Sequence, residues 1–144
     1  MSTAVDTNVF VALFSGDERA SKVAQAALED AYAAGPLVAC PAVYAELVAS
    51  GREPVKVERF FEDKGIEVSW DLDAEVWKTA GYRYGAYAQK RRSQRGDEGP
   101  RRILADFLIG AHALLYAEGS SLLTTDTKIF STYFPDLRVF SPKD

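Results

Sequence analysis

Short apolar stretches and longer amphipathic stretches alternate along the whole chain. The short ones have the length of buried strands and predict strands at residues 2–5, 37–39, 66–69, 121–124 and 137–140. Between them, the spacing of apolar positions predicts helices at residues 7–14, 18–33, 41–50, 54–63, 102–118 and 127–133, and one that Asp71 or Asp73 could cap and that runs to about residue 90. Strands that alternate with helices indicate an α/β protein. The expected architecture is a three-layer α/β/α sandwich with a mainly parallel central sheet.

Glycine and proline residues mark the breaks between these elements. Pro41 suits the first turn of the helix that follows the second strand, and Pro54 opens the next helix. Gly119 ends the helix that precedes the fourth strand. No repeat or low-complexity tract interrupts the pattern, so we expect one domain over residues 1–144.

Four acidic residues stand beside apolar residues, where a carboxylate is unfavourable unless it is compensated. They are Asp6, Glu46, Asp106 and Asp126. Asp6 and Asp126 follow predicted strands, and in parallel sheets ligands bind beyond the carboxyl ends of the strands. Glu46 and Asp106 lie on predicted helices that could lean over the same edge. Carboxylates that converge need a cation, and oxygen ligands suit Mg²⁺ or Mn²⁺.

Each acid also has a purely structural interpretation. Asp6 and Asp126 are each placed to cap a following helix, and Glu46 is compatible with an exposed helix position. Asp106 could pair with Arg101 or Arg102, or interact with the dipole of its own helix.

Polar neighbours could orient these acids. Asn8 is interpreted as a local hydrogen-bonding residue that orients Asp6 rather than as a metal ligand. A hydroxyl from Thr124 or Thr125 could support the site, and Thr125 is slightly preferred.

Other types of catalysis fit the sequence less well. His112 is the sole histidine, so cleavage by a pair of histidines is impossible. It follows Asp106 by six positions, which places it on a different helix face and favours a core or interface position. Cys40 is expected to be a buried hydrophobic residue. No glycine-rich phosphate loop is present. Of the types of catalysis considered, metal-assisted hydrolysis by the carboxylates remains.

Composition sets further limits. The 144 residues contain one cysteine, so an internal disulfide is impossible and a reducing cytoplasm is the expected location. No apolar run is long enough for a membrane span, and no secretion signal is recognisable. The net charge of −4 argues against a general nucleic-acid-coating protein but not against a nuclease.

Residues 90–102 contain six basic and two acidic residues and precede the helix of Asp106. This predicts phosphate binding near the site, by the arginines Arg91, Arg92, Arg95, Arg101 and Arg102. The alternative is a solvated loop. Tyr82, Tyr84 and Tyr87 could stack on bases, although core packing is expected for at least one. Trp70 and Trp77 are expected in the core.

The chain resembles the PIN-domain family, and more narrowly the VapC-type ribonuclease toxins of toxin–antitoxin pairs. The resemblance rests on the run Asp6-Thr7-Asn8-Val9-Phe10 and on residues 106–113 with Leu122-Leu123-Thr124-Thr125-Asp126. It implies an Mg²⁺- or Mn²⁺-dependent endoribonuclease whose four acids hold the metal and whose products carry 5′-phosphate and 3′-hydroxyl ends. It also implies an antitoxin partner and a homodimer, both involving the first half of the chain.

Two alternatives remain open at this stage, and a third is disfavoured. The chain could be a housekeeping PIN nuclease without an antitoxin, or a catalytically inactive PIN-fold module that binds RNA or protein. A phosphatase that forms a phospho-aspartate is disfavoured, because Asn8 stands where such enzymes need a second aspartate.

Overall fold

In the part of the chain that the structure describes, five strands form one central sheet, and helices connect each strand to the next. The computed structural model describes residues 1–93 and 102–143. In chain order the elements are β1 (Thr3–Val5), α1 (Thr7–Phe14), α2 (Glu18–Ala34), β2 (Leu37–Ala39), α3 (Pro41–Ala49), α4 (Pro54–Asp63), β3 (Ile66–Val68), α5 (Ala74–Ser93), α6 (Leu104–Tyr116), β4 (Ser121–Leu123), α7 (Thr127–Tyr133) and β5 (Arg138–Phe140).

The strand order β3-β2-β1-β4-β5 determines where a site can form. All four strand pairs are parallel. The chain builds outward from β1 on one side and then returns to place β4 on the other side, with Thr3 opposite both Leu37 and Ser121. A reversal of this kind opens a crevice at the carboxyl ends of the two central strands. Asp6 follows β1 and Thr124 follows β4, so both lie at that crevice.

Local sequence explains why the helices begin where they do. The Asp6 carboxylate accepts a hydrogen bond from the Thr7 backbone N–H at 2.8 Å, at the start of α1. Pro41 and Pro54 occupy the first turns of α3 and α4, where a missing N–H costs nothing. The first turns of α1 and α3 therefore lie directly beyond β1 and β2.

Helix α6 is the most deeply buried helix of the described residues. Every residue from 107 to 113 is buried. Gly110 permits this packing, because a Cβ atom there would lie 2.5 Å from the ring of Phe134, which is itself 1% exposed. The close approach of α6 to the segment after α7 fixes the position of Asp106.

The predicted α/β/α architecture with a parallel sheet is confirmed, and all five strands and seven helices of the described residues occur where the pattern predicted them. Most boundaries agree within one residue, and only those of α5 and α6 differ by more. Residues 91–93, predicted to be in a loop, form the last turn of α5. Basic side chains there interact favourably with the helix dipole. Helix α6 is shorter than residues 102–118, since Ile103 has an extended backbone and Ala117 leaves the helical conformation.

Side-chain burial matches the sequence interpretation for some residues and contradicts it for others. His112 and Cys40 are buried as expected, at 0% and 1% exposure. Trp70 and Trp77 were expected in the core and are 58% and 52% exposed, so that prediction is wrong. Trp70 instead packs at the surface against the ring of Tyr44, with a 5.1 Å centroid distance.

None of the helices in the described ranges combines the length and the apolar character that crossing a membrane requires.

Candidate active site

Asp6 lies at the centre of the candidate site and is almost fully buried. One carboxylate oxygen, Oδ1, accepts the Thr7 N–H, and Oδ2 accepts the hydroxyl of Thr124 at 2.7 Å. Burial raises the pKa of Asp6 to about 6, although these two hydrogen bonds lower it. The charges of Asp106 and Glu46 raise it further, so both carboxylates act on Asp6.

Thr124 connects the two central strand ends. Its hydroxyl donates to Asp6 and accepts hydrogen bonds from Asn8 Nδ2 at 3.3 Å and from the Asp126 backbone N–H at 3.0 Å. The slight preference for Thr125 was wrong: Thr125 is exposed, and its backbone N–H donates to Asn8 Oδ1 at 3.0 Å. Asn8 therefore acts on Asp6 through Thr124, since its described bonds are to Thr124 and Thr125.

Glu46 is held by a residue that sequence reasoning did not identify. The Thr7 hydroxyl donates to Glu46 Oε1 at 2.6 Å, which joins the start of α1 to α3. The sequence shows a hydroxyl directly after Asp6, but its partner lies 39 positions away. Without the tertiary structure, nothing distinguishes this threonine from one that faces solvent.

Asp106 lies in the first turn of α6, where its Oδ2 accepts the Ile103 backbone N–H at 3.2 Å. The structural interpretation as a carboxylate at the helix N-terminus is therefore correct in part. Burial raises the pKa of Asp106; the Ile103 hydrogen bond and the charge of Arg102 lower it, and Asp126 raises it.

Asp126 does not use its side chain to cap α7. Its Oδ2 instead accepts a hydrogen bond from Arg102 Nη1, and this ion pair is half-buried. Arg102 was considered as a partner for Asp106 and pairs with Asp126. Arg91 and Arg92 lie in the last turn of α5, whereas Arg95 and Arg101 lie outside the described residues.

The four acids share one neighbourhood but do not form a ready cage. Their mutual charge effects connect Asp6 with Asp106 and Glu46, and Asp106 with Asp126. Within residues 1–93 and 102–143, no group of three or more His, Cys, Asp or Glu side chains is arranged to hold a metal ion. In this conformation each acid accepts a hydrogen bond from the protein. The donors are Thr7 and Thr124 for Asp6, Thr7 for Glu46, Ile103 for Asp106 and Arg102 for Asp126.

The tyrosines near the basic segment have different environments. Tyr87 is 7% exposed and stacks on Tyr84, with ring centroids 6.1 Å apart, and both pack against Phe107. Core packing therefore accounts for these two rings, as expected for at least one of them. Tyr82 is 83% exposed.

His112 lies apart from the acids. Its Nε2 is 2.9 Å from the Ser69 hydroxyl, and its ring is 5.2 Å from that of Tyr116. Within the described part of the chain, its buried Nδ1 has no hydrogen-bond partner. Burial lowers the pKa of His112 to about 4, so the ring is neutral at neutral pH.

The solved structures that share this fold include chains of three complexes. The chain is similar to a chain of VapBC2 from Rickettsia felis bound to a promoter DNA fragment, with 22% identity, a TM-score of 0.68 and coverage of 99% of this chain and 100% of that one. It is similar to a chain of VapBC-1 from nontypeable Haemophilus influenzae, with 20% identity, a TM-score of 0.66 and 98% coverage of both. For FitAB bound to the IR36 DNA fragment, the identity is 20%, the TM-score 0.59, and the coverage 97% of this chain and 94% of that one.

At these identities the likeness shows the fold alone. A comparison with curated protein sequences finds no match. The family model described as "PIN domain" matches residues 3–135, a range that includes β1, β4 and all four candidate acids. The chain therefore belongs to the PIN domain family.

Proposed function

We propose that this protein is a divalent-metal-dependent endoribonuclease and the toxin of a toxin–antitoxin pair. The proposed site comprises Asp6, Glu46, Asp106 and Asp126, with Asn8, Thr124 and Thr7 as orienting residues. Thr125 contributes to this set through its backbone N–H.

The observation that carries the proposal is the environment of Asp6. A carboxylate that is 4% exposed and has two further carboxylates acting on it is unfavourable in a folded protein. Its two hydrogen bonds offset only part of that cost, because the pKa is still raised to about 6. A bound cation is the usual way to stabilise such a cluster, and perturbed carboxylates in a crevice are typical of functional sites.

The donor set fits Mg²⁺ or Mn²⁺. The proposed ligands are carboxylate oxygens, which hard divalent cations prefer. Mg²⁺ commonly uses one or two protein carboxylates and keeps several waters, so it does not require a complete protein cage. The separate partners of the four acids are compatible with that mode of binding, in which Asp6 and Asp106 serve as the main ligands.

The chain's own residues prepare the site for phosphodiester hydrolysis. Thr124 and the Thr7 N–H hold both oxygens of Asp6, and the Thr7 hydroxyl orients Glu46. A bound divalent cation would polarise the scissile phosphate and lower the pKa of a water molecule. Glu46 is half-buried at the rim, from which it can accept a proton from the attacking water.

RNA binding is proposed for the basic residues beside the site. Arg91 and Arg92 lie at the end of α5, and Arg102 lies within the acidic crevice. Cationic side chains at the entrance of an acidic site attract the phosphate backbone that the acids would otherwise repel. Arg95 and Arg101 belong to the same basic segment of the sequence.

An antitoxin would occupy the groove between α1, α2 and α4. This groove has a volume of about 500 Å³ and is mainly apolar, with Leu13, Phe14, Leu28 and Phe60 in its lining. Its rim carries Glu29, Asp63 and Lys64. A groove of this kind suits the apolar face of a peptide helix.

A homodimer is the remaining proposed assembly. Trp70 and Trp77 are large aromatic residues at the surface, and such residues are enriched in protein interfaces. Sedimentation of the purified chain would decide this point, since a monomer at micromolar concentration would contradict it.

Cleavage of structured cellular RNA by purified protein tests the nuclease activity. Reactions with Mg²⁺, with Mn²⁺ and with chelator would be compared with reactions of Asp6→Asn. Asp17→Asn is the matched control, because Asp17 caps α2 through the Ala20 N–H and lies at an exposed position. We expect discrete metal-dependent fragments that disappear with Asp6→Asn and persist with Asp17→Asn. Absence of cleavage by folded protein would favour a binding module.

Growth arrest in bacteria tests the toxin role. Expression of the chain should arrest growth, and co-expression of its antitoxin, to be sought as a small gene directly upstream, should restore it. Tyr32→Glu, at the exposed wall of the groove, should keep the arrest but lose the rescue, whereas Leu115→Glu, at an exposed position outside the groove, should keep both. Metal-dependent cleavage without growth arrest would indicate a housekeeping nuclease.

A further inference from the structure

The ion pair between Arg102 and Asp126 lies inside the candidate site. Arg102 Nη1 donates to Asp126 Oδ2, and the two side chains are 23% and 29% exposed. A charge-assisted bond in such a partly buried place is stronger than a pair at the open surface. One of the four candidate acids is therefore already bound to a cation of the protein itself.

The backbone of Arg102 is fixed in place by two tyrosines of α5. The Arg102 N–H donates to the Tyr87 hydroxyl at 2.7 Å, and the Tyr84 hydroxyl donates to the Arg102 carbonyl at 3.4 Å. Both rings pack against Phe107, the residue after Asp106. Because the fold already fixes this backbone, less conformational entropy is lost when the guanidinium pairs with a carboxylate.

The other partner is fixed equally well. The Asp126 backbone N–H donates to the Thr124 hydroxyl, which also binds Asp6. The Thr124 side chain therefore joins Asp126 to Asp6. Arg102 also acts electrostatically on Asp106. The guanidinium lies among the carboxylates that a metal ion would use.

We propose that Arg102 is an exchangeable resident cation of the acidic site. It holds Asp126 before a metal ion binds, and it moves to an RNA phosphate when the ion takes over Asp126. This inference rests on the proposed nuclease function and assigns Arg102 a direct contact with substrate.

The chemistry of the guanidinium supports this exchange. Its planar fork matches both carboxylate and phosphate oxygens, and it keeps its charge at any physiological pH. A divalent ion offers Asp126 twice the charge of Arg102. Since RNA would stabilise the released Arg102, RNA and metal binding should favour each other, and linkage makes this effect reciprocal.

Calorimetric titration with Mn²⁺ tests the first half of the exchange. Arg102→Gln removes the competitor, so the Mn²⁺ dissociation constant should fall about 5- to 10-fold, as expected for the loss of one charge-assisted bond. In an Asp126→Asn background the same substitution should change it less than about 2-fold, because coupled residues are not additive. Equal effects in both backgrounds, or no tightening, would overturn the proposal.

Arg83→Gln is the matched control. Arg83 has the same 23% exposure and pairs with Asp136 at 2.8 Å, outside the acidic crevice. Its substitution should leave Mn²⁺ binding unchanged, and a similar tightening would show that any lost arginine has this effect. Arg102→Lys provides a second variant if Arg102→Gln does not fold, and an intermediate Mn²⁺ affinity is expected.

Binding of a cleavage-resistant phosphorothioate RNA oligonucleotide tests the second half. With chelator, wild type and Arg102→Gln should bind it within about 2-fold of each other, because Arg102 is then engaged by Asp126. With Mn²⁺ the variant should bind about 5- to 10-fold more weakly, the range expected for one charged hydrogen bond. Equal loss under both conditions would overturn the exchange. Failure of the wild type to bind Mn²⁺ at all would instead overturn the proposed metal-dependent function.

Discussion

The hydroxyl of Thr7 donates a 2.6 Å hydrogen bond to Oε1 of Glu46, while the backbone N–H of the same residue donates to Oδ1 of Asp6. One residue thereby orients two candidate catalytic acids that come from different parts of the chain. This double contact makes Thr7 a positioning residue, although its side chain has none of the usual catalytic chemistry.

Substitution of Thr7 should therefore reduce the proposed activity without unfolding the protein. Thr7→Val removes the hydroxyl but keeps the shape and the backbone N–H, so Glu46 loses its orientation. We expect kcat to fall about 10- to 100-fold, the range seen when residues that orient ligands are lost. Thr7→Ser should restore most of the rate, and circular dichroism should show unchanged folding. Full activity of Thr7→Val in an RNA cleavage assay would contradict this role.

Thr124 and Thr125 should respond very differently to the same change. Thr124→Val leaves Asp6 Oδ2, Asn8 Nδ2 and the Asp126 N–H without a shared partner in a buried place. The free energy of unfolding should fall by about 1–3 kcal/mol, the cost of unsatisfied buried polar groups. Thr125→Val, at an exposed side chain, should change it by less than about 0.5 kcal/mol. Denaturant unfolding measures both, and similar losses would show that the Thr124 hydroxyl is not the central partner.

Gly110 and the glycines of α5 offer a matched test of helix packing. In Gly110→Ala the added Cβ would meet the Phe134 ring at 2.5 Å, so overpacking should lower the free energy of unfolding by about 1–3 kcal/mol. Among residues 1–93 and 102–143, no neighbour lies within 4 Å of a Cβ added at Gly81 or Gly85. Alanine there should stabilise the helix by about 0.5–1 kcal/mol. Thermal unfolding of the three variants gives the comparison, and stabilisation by Gly110→Ala would contradict the packing argument.

His112 should make the protein less stable in acid. Its folded-state pKa of about 4 lies below the unfolded value of 6.5, so the unfolded chain binds the additional proton between these values. The free energy of unfolding should decrease as pH falls below 6.5, by about 3 kcal/mol at pH 4, from about 1.4 kcal/mol per pKa unit. Asp6 acts in the opposite direction, because its raised pKa makes its ionisation unfavourable to folding.

Comparison of wild type with His112→Gln isolates the histidine, since the contribution of Asp6 is present in both proteins. Between pH 6.5 and pH 4 the variant should lose less stability than wild type. Ser69→Ala removes the partner of Nε2 but keeps the histidine, so it should retain the wild-type pH slope. Identical slopes for wild type and His112→Gln would show that His112 does not titrate as a buried group.

Local patterns in the sequence were enough to predict the order and the type of the elements. Helix starts were readable because Asp6, Pro41 and Pro54 are local signals that act within one turn. Strands were readable because short apolar stretches flanked by helices can hardly be anything else in a chain of this size. The four acids stood out for the same local reason, since each is next to apolar residues.

The hydrogen-bond and ion-pair partners of the site residues follow from the tertiary structure and not from local sequence. Thr124 and Asp6 are 118 positions apart, and they meet because β4 lies beside β1, an adjacency that no local pattern encodes. The choice of Thr124 over Thr125 depends on the alternation of side chains at a strand end. The prediction of Trp70 and Trp77 in the core was wrong because hydrophobicity predicts burial only on average, and the fold leaves both at the surface. The pairing of Arg102 with Asp126 likewise depends on the tertiary structure, because tyrosines of α5 hold the Arg102 backbone while Asp126 is held by Thr124 at the end of β4.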